Sequence, residues 1–304
     1  MVALFTGQGS QFPGMGKAFY GCSPAARAVL DEADHVLPGL LALCFEGPAE
    51  QLVLTENTQP CVLAVDLAAF AGWREAGGPM PTAAAGHSLG EYAALVVAGA
   101  LDLATALALV KARGKAMQEA VPPGVGGMVA LLRMTLDEAK RAQAMVTRGI
   151  CDLANWNAPG QYVMSGETAA MQELAERFGR RQAARLDVSV PFHSSMLRQA
   201  GERFATQLAR APLQEPAFPI VCNVDAEPVT TSAAVRDALV RQFAGSVLWQ
   251  PSIERMIDEG HRVFVELGPK PVLRRMVEQI AQARGVEVTA LAVCEPKDLA
   301  LAIA

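Results

Sequence analysis

Ser88 stands where a nucleophile would, in "AAAGHSLGEYAAL" (83–95), with Gly86 and Gly90 two positions to either side. A strand that turns sharply into a helix forces the corner side chain out into a cleft, and glycines at that spacing leave room for the turn. Residues 82–85 supply the strand end and 91–100 the helix. That puts Ser88 at a helix N-terminus and leaves the Leu89 backbone N–H free to bind an oxyanion. The same five residues also suit an ordinary turn, since glycine and serine favour turns.

A serine nucleophile needs a base, and the chain has four histidines, His35, His87, His193 and His261. His35 lies at a polar helix end, and His261 follows Gly260 at a strand start. His87, next to the corner, points away from Ser88. His193 in "SVPFHSSM" follows an extended segment fixed by Pro191. Two readings stand for it, base or satisfied structural histidine, because no spacing rule ties it to Ser88.

Arg113 is the more discriminating residue. A helix from Leu101 advances about 100° per residue, which gathers Leu103, Leu107, Leu109, Val110, Gly114 and Met117 on one arc. Arg113 falls inside that arc, while Lys111 and Lys115 lie off it. A guanidinium on an apolar side calls for an anion, either a substrate carboxylate or an internal Asp or Glu, unless it snorkels to solvent. "FTGQGSQ" (5–11) is glycine-rich after a strand, yet it lacks both the G-K-[ST] ending and the G-x-G-x-x-G spacing of nucleotide loops. Such a turn beside the nucleophile strand offers the Gln8 backbone N–H as a second oxyanion donor.

The elements needed to position these residues follow from the pattern. At 304 residues, 51% hydrophobic and 19% charged, the chain builds a large globular core. Its first 120 residues alternate short apolar runs with helical stretches at 24–36, 60–76, from 91 and from 102, the signature of α/β with a mostly parallel sheet. After the loop "VPPGVGG" (121–127) the order becomes β-α-β-β-α-β: 128–133, 135–148, 151–157, 161–166, 168–179 and 181–190. That order predicts an inserted ferredoxin-like domain over 122–190. Residues 1–121 and 191–304 would form the large domain, the second part with a helix at 195–210, a strand at 218–224, helices near 232–243 and 251–259, a strand at 262–268 and a closing helix.

The net charge of −5 argues against a nucleic-acid partner. The start "MVALFTGQGS" has no leader-like pattern, and no apolar run reaches membrane-span length, so the expected location is cytoplasmic. Six scattered cysteines (Cys22, Cys44, Cys61, Cys151, Cys222, Cys294) without a C-x-x-C pair suggest neither a disulfide framework nor a zinc site.

Taken together, "GQGSQ…GMG" (7–16), "GHSLGE" (86–91), "RGKAMQ" from Arg113 and "VPFHS" (190–194) resemble the malonyl-CoA:acyl-carrier-protein transacylase family. "NWNAPGQYVMSGE" (155–167) and "ELGPKPVL" (266–273) resemble its later blocks, so the likeness runs in order along nearly the whole chain. It implies a hydrolase-like α/β large domain carrying a ferredoxin-like small one. It also implies Ser88 as nucleophile, His193 as base, the Gln8 and Leu89 amides as oxyanion hole, and Arg113 as clamp for the malonate carboxylate. Gln242 matches the position whose backbone carbonyl orients the histidine in a dyad with no third carboxylate. Phe192 and Met117 would line the acyl pocket, and Asn155 and Asn157 resemble residues near the thioester arm. The departure is Thr6, where the family often has proline.

The implied reaction is ping-pong, from malonyl-CoA to a malonyl-serine ester and on to the phosphopantetheine thiol of a carrier protein. A thioester becomes an ester and then a thioester again, so neither metal nor redox cofactor is implied. Arg177, Arg180, Arg181 and Arg185 cluster where they would attract an acidic carrier protein, or they form a solvated basic face. The rivals are a serine thioesterase, a discrete acyltransferase serving a polyketide synthase or a malonate decarboxylase, and a non-catalytic scaffold.

Overall fold

The computed structural model describes residues 1–188 and 190–300. In chain order the elements are β1 (Val2–Phe5), α1 (Lys17–Cys22), α2 (Pro24–Val36), α3 (Leu40–Glu46), α4 (Ala49–Leu52), α5 (Thr55–Glu75), β2 (Ala83–Gly86), α6 (Gly90–Val97) and α7 (Leu103–Glu119). There follow β3 (Gly126–Leu132), α8 (Leu136–Ala144), β4 (Cys151–Ala158), β5 (Gln161–Glu167), α9 (Thr168–Phe178), β6 (Ala183–Arg185), α10 (Arg198–Arg210) and β7 (Ile220–Val221). The chain closes with β8 (Pro228–Val229), α11 (Ser232–Gln242), α12 (Trp249–Asp258), β9 (Val263–Leu267), α13 (Leu273–Ala283) and β10 (Thr289–Val293).

The fold is mixed α/β with two sheets. The larger has the order β10-β9-β1-β2-β7-β8 and is parallel except for the β7–β8 pair. Alternation along its strands feeds two cores, because successive side chains point to opposite faces. Ala3, Phe5, Ala84 and Val265 pack under α2, α5, α6 and α7, whereas Val2, Leu4, Ala83 and Phe264 meet α12 and α13. Buried on both faces, β1 and β2 read as continuous apolar runs.

The second sheet, β4-β5-β3-β6, is antiparallel throughout. Val129 and Leu131 of β3 face the buried residues of α8 and α9, while Met128 and Ala130 form a smaller cluster on the opposite face with Ala154 and Val163. A parallel bridge from Asn155 in β4 to Val247 joins this unit to the segment between α11 and α12. Among the described residues no helix is long and apolar enough to cross a membrane.

Several boundaries differ from expectation. Helix α5 begins at Thr55 rather than 60, since Pro60 in its second turn forfeits only one backbone bond. Of the strand expected over 181–190 only Ala183–Arg185 pairs, and Ser189 lies outside the described residues. The strand expected over 218–224 shortens to Ile220–Val221, because Asn223 is drawn into the serine turn described below. Gly126 and Gly127, expected in a loop, pair with Glu167 and Gly166. Helices α1, α3 and α4 and the strands β8 and β10 are additional; both strands lie at the sheet's ends, and β10 pairs on one side only and is partly exposed, so it lacks the apolar run of a central strand.

Candidate active site

At the carboxyl ends of β1 and β2 two turns come into backbone contact. A Cβ on Gly7 would stand 2.5 Å from the His87 carbonyl oxygen, and one on Gly90 2.2 Å from that of Phe5. One on Gly86 would lie 1.9 Å from the Gly90 carbonyl carbon. Only glycine allows this approach. It brings the Thr6–Gln8 turn alongside Ser88, and the N–H groups of Gln8 and Leu89 have no protein acceptor among the described residues.

Ser88 has φ of 52°, left-handed and strained for a non-glycine residue, at a cost of roughly 1–3 kcal/mol that its surroundings must offset. Its N–H donates to Asn223 Oδ1 at 2.7 Å, and its carbonyl accepts from Gln242 Nε2 at 3.0 Å. Asn223 in turn donates through Nδ2 to the Gly86 carbonyl (2.8 Å) and through its backbone N–H to Glu91 Oε2 (2.8 Å). Burial raises the Glu91 carboxyl to about 7, against the Asn223 hydrogen bond that favours its ionised form.

His193 also adopts a left-handed backbone, at φ 56°, and its Nε2 lies 2.7 Å from Ser88 Oγ. Its Nδ1 lies 3.0 Å from the Gly245 carbonyl and 3.2 Å from that of Gln242. Two carbonyls can only accept, so they fix the proton on Nδ1 and leave the Nε2 lone pair for the serine hydroxyl. Burial, then the Arg113 charge, then His87 push the imidazole down to about 3. At neutral pH it is therefore an uncharged base.

Arg113 is 1% exposed, which rules out snorkelling. Its Nη1 donates to Gln59 Oε1 at 3.0 Å, and its Nη2 to Ser88 Oγ and Gln242 Oε1, both at 3.0 Å. The Tyr92 ring lies 5.7 Å below the guanidinium carbon. No carboxylate oxygen among the described residues comes within 4.0 Å, and Nε has no partner there. A buried cation held by neutral amide oxygens and a ring, with N–H groups to spare, is prepared for an anion that arrives with a ligand.

The remaining expected residues lie around this centre in different ways. Met117 is buried, its Sδ accepting from Gln59 Nε2 at 3.6 Å. Phe192, half-buried, packs between the large core and the smaller cluster under β3. Asn157 is buried with Oδ1 2.9 Å from His87 Nε2, and Asn155 is buried at the bridge to Val247. His87 thus turns toward Asn157 and away from His193. Gln59, Asn223 and Gly245 went unsuspected in the sequence. None of the three carried a signal; Gln59 ends the polar run TENTQ (55–59), just before the helix expected from 60. Among the described residues no group of three or more His, Cys, Asp or Glu side chains is gathered to hold a metal ion.

Residues 2–299 match the family described as the acyl transferase domain. The chain belongs to this acyltransferase family. It is 40% identical over 306 residues to the malonyl CoA-acyl carrier protein transacylase of Bacillus subtilis (strain 168), covering 99% of this chain and 95% of that protein. The Escherichia coli (strain K12) protein of the same name is 39% identical, with 99% and 97% covered. The crystal structure of the acyl-carrier-protein S-malonyltransferase from Burkholderia pseudomallei 1710b superposes with a TM-score of 0.94 at 39% identity, over 99% of this chain and 98% of that one. A malonyl-transacylase solved in complex with its type II PKS acyl-carrier protein superposes equally well, at 0.94, with 37% identity and the same coverage. Every relative named here is called a malonyl transferase or transacylase.

Proposed function

We propose that this acyltransferase moves the malonyl group from malonyl-CoA to the phosphopantetheine thiol of an acyl carrier protein, by a ping-pong route through a malonyl ester on Ser88. The observation that carries the reading is Arg113, a buried guanidinium 3.0 Å from Ser88 Oγ with no carboxylate oxygen within 4.0 Å among the described residues. In a malonyl-serine ester the free carboxylate lies three bonds beyond Oγ, within reach of that cation; an acetyl ester has none.

In the first half, His193 Nε2 takes the Ser88 proton as Oγ attacks the thioester carbonyl. The Gln8 and Leu89 amides would receive the oxyanion, and the imidazolium returns its proton to the departing thiol. In the second half the carrier thiol gives up its proton to Nε2 and attacks the ester, regenerating serine. Met117 and Phe192 would wall the acyl group, and Asn155 and Asn157 would face the pantetheine arm. The thioester, ester and thioester sequence calls for no metal or redox cofactor.

The β-α-β-β-α-β order and the 2-3-1-4 strand arrangement of the small unit support a ferredoxin-like domain over 122–190. The serine corner at the carboxyl end of an interior parallel strand supports a hydrolase-like domain over 1–121 and 191–304. Six free cysteines fit a cytoplasmic setting. The test is intact mass after malonyl-CoA, then after holo carrier protein. A malonyl adduct that persists in buffer and moves onto the carrier is expected, whereas loss to water at the same rate would make the chain a thioesterase.

Arg180, Arg181 and Arg185 are exposed on the small unit, while Arg177 pairs with Glu173 at 3.1 Å. Arg177 is exposed as well, and we assign all four arginines to reception of an acidic carrier by long-range attraction. Reversing Arg180 and Arg181 to glutamate is expected to raise KM for the carrier in a salt-dependent way and to spare malonyl loading. Impaired loading would remove the assignment.

A further inference from the structure

Among the described residues no carboxylate meets His193 Nδ1, yet one is committed to the turn that carries His193. Asp152 of β4 accepts three hydrogen bonds on Oδ2: from Ser194 Oγ at 2.7 Å, from the Ser195 N–H at 2.7 Å and from Ser195 Oγ at 2.8 Å. Ser194 is fully buried and follows His193 directly, so the left-handed residue is pinned on its C-terminal side. On the N-terminal side Pro191 rests on β3, where a Cβ on Gly126 would stand 2.4 Å from the proline ring.

The same strand also holds the acceptor of the imidazole. Ser246 Oγ donates to the Leu153 carbonyl at 2.5 Å, Val247 N–H to that of Ala154 at 2.8 Å, and Trp156 N–H to that of Val247 at 2.9 Å. These bonds fix the segment immediately after Gly245, whose carbonyl lies 3.0 Å from Nδ1. Three successive residues and Trp156 of one strand therefore grip the imidazole from both ends, backbone and ring.

We propose that Asp152 is a positioning residue for His193, a carboxylate that orients the base through the turn behind it instead of through the ring nitrogen. The inference rests on His193 being the base. Asp152 bonds to the turn and not to the ring, so its removal should shift where the ring stands. Misplacing a reacting group by about 1 Å can cost about 100-fold in rate.

Single-turnover malonyl loading of Ser88, followed by intact mass, tests this in Asp152→Ala, Asp152→Asn, Ser195→Ala and His193→Ala. Asp152→Ala is expected to slow loading by about 10- to 100-fold, with KM for malonyl-CoA and the preference over acetyl-CoA unchanged. Asp152→Asn should recover most of the rate, because its amide oxygen still accepts from the same donors, and Ser195→Ala should fall between. Wild-type loading in Asp152→Ala while His193→Ala is slow overturns the inference alone. Equal damage in Asp152→Asn, with KM and acyl preference lost together, also overturns it by showing general structural loss. Fast loading in His193→Ala overturns the underlying base assignment as well.

Discussion

Arg113→Ala is expected to collapse the preference for malonyl-CoA over acetyl-CoA in Ser88 loading by at least about 30-fold. Losing a buried, charge-assisted carboxylate contact costs about 2–5 kcal/mol, and about 1.4 kcal/mol corresponds to a tenfold change. The ratio of the two substrates is the proper readout. The side chain also donates to Ser88 Oγ at 3.0 Å, so both loading rates should fall while only malonyl loses its clamp. A ratio that stays at its wild-type value would remove Arg113 from acyl recognition and leave it as a structural cation.

The same variant makes a prediction about pH. The positive charge of Arg113 is the second cause, after burial, of the depressed His193 imidazole. Removing it lets the imidazole pKa rise, so the acid limb of kcat/KM for loading should move to higher pH in Arg113→Ala. In the wild type His193 stays neutral until pH approaches about 3, and Glu91, the carboxyl of the serine turn that burial raises to about 7, would give a separate limb near that pH. Glu91→Gln should abolish that upper limb and leave the lower one. The stability sign follows the folded and unfolded values: a histidine depressed from 6.5 supports the fold fully above 6.5 and loses that support as pH falls toward 3.

What the sequence made legible was local. The glycines around Ser88 and the arc holding Arg113 are readable because each depends on spacing within one turn or one helix. The alternation of strand and helix likewise shows in the order of apolar runs. Partners that meet across the fold were not readable from spacing; the roles of His193 and Gln242 came only through the family resemblance. Asn223 meets Ser88 across 135 positions and Gln242 meets it across 154, and nothing around either amide marks it as part of a serine turn. For Arg113 the sequence left three outcomes open, and burial with no carboxylate oxygen within 4.0 Å among the described residues is a property only packing reveals. Asp152 was invisible for the same reason, its donors lying 42 and 43 positions away.

Ser88→Ala and His193→Ala are each expected to reduce malonyl loading by about 1000-fold or more, and the double variant should be little worse than either single one. Groups that act as one unit in a proton-coupled attack are strongly non-additive, because removing either already forfeits the step both serve. The geometry makes them one unit here: Oγ and Nε2 are 2.7 Å apart, and the Nδ1 proton is held by the Gly245 and Gln242 carbonyls. Binding should survive, since Arg113 keeps Gln59 and Gln242 as partners in both variants. Malonyl-CoA affinity measured by calorimetry on Ser88→Ala is therefore expected near the wild-type KM, provided loading is slower than substrate release. Losses that multiply in the double variant would mean that serine and histidine serve separate steps, and the base would then have to be sought away from His193.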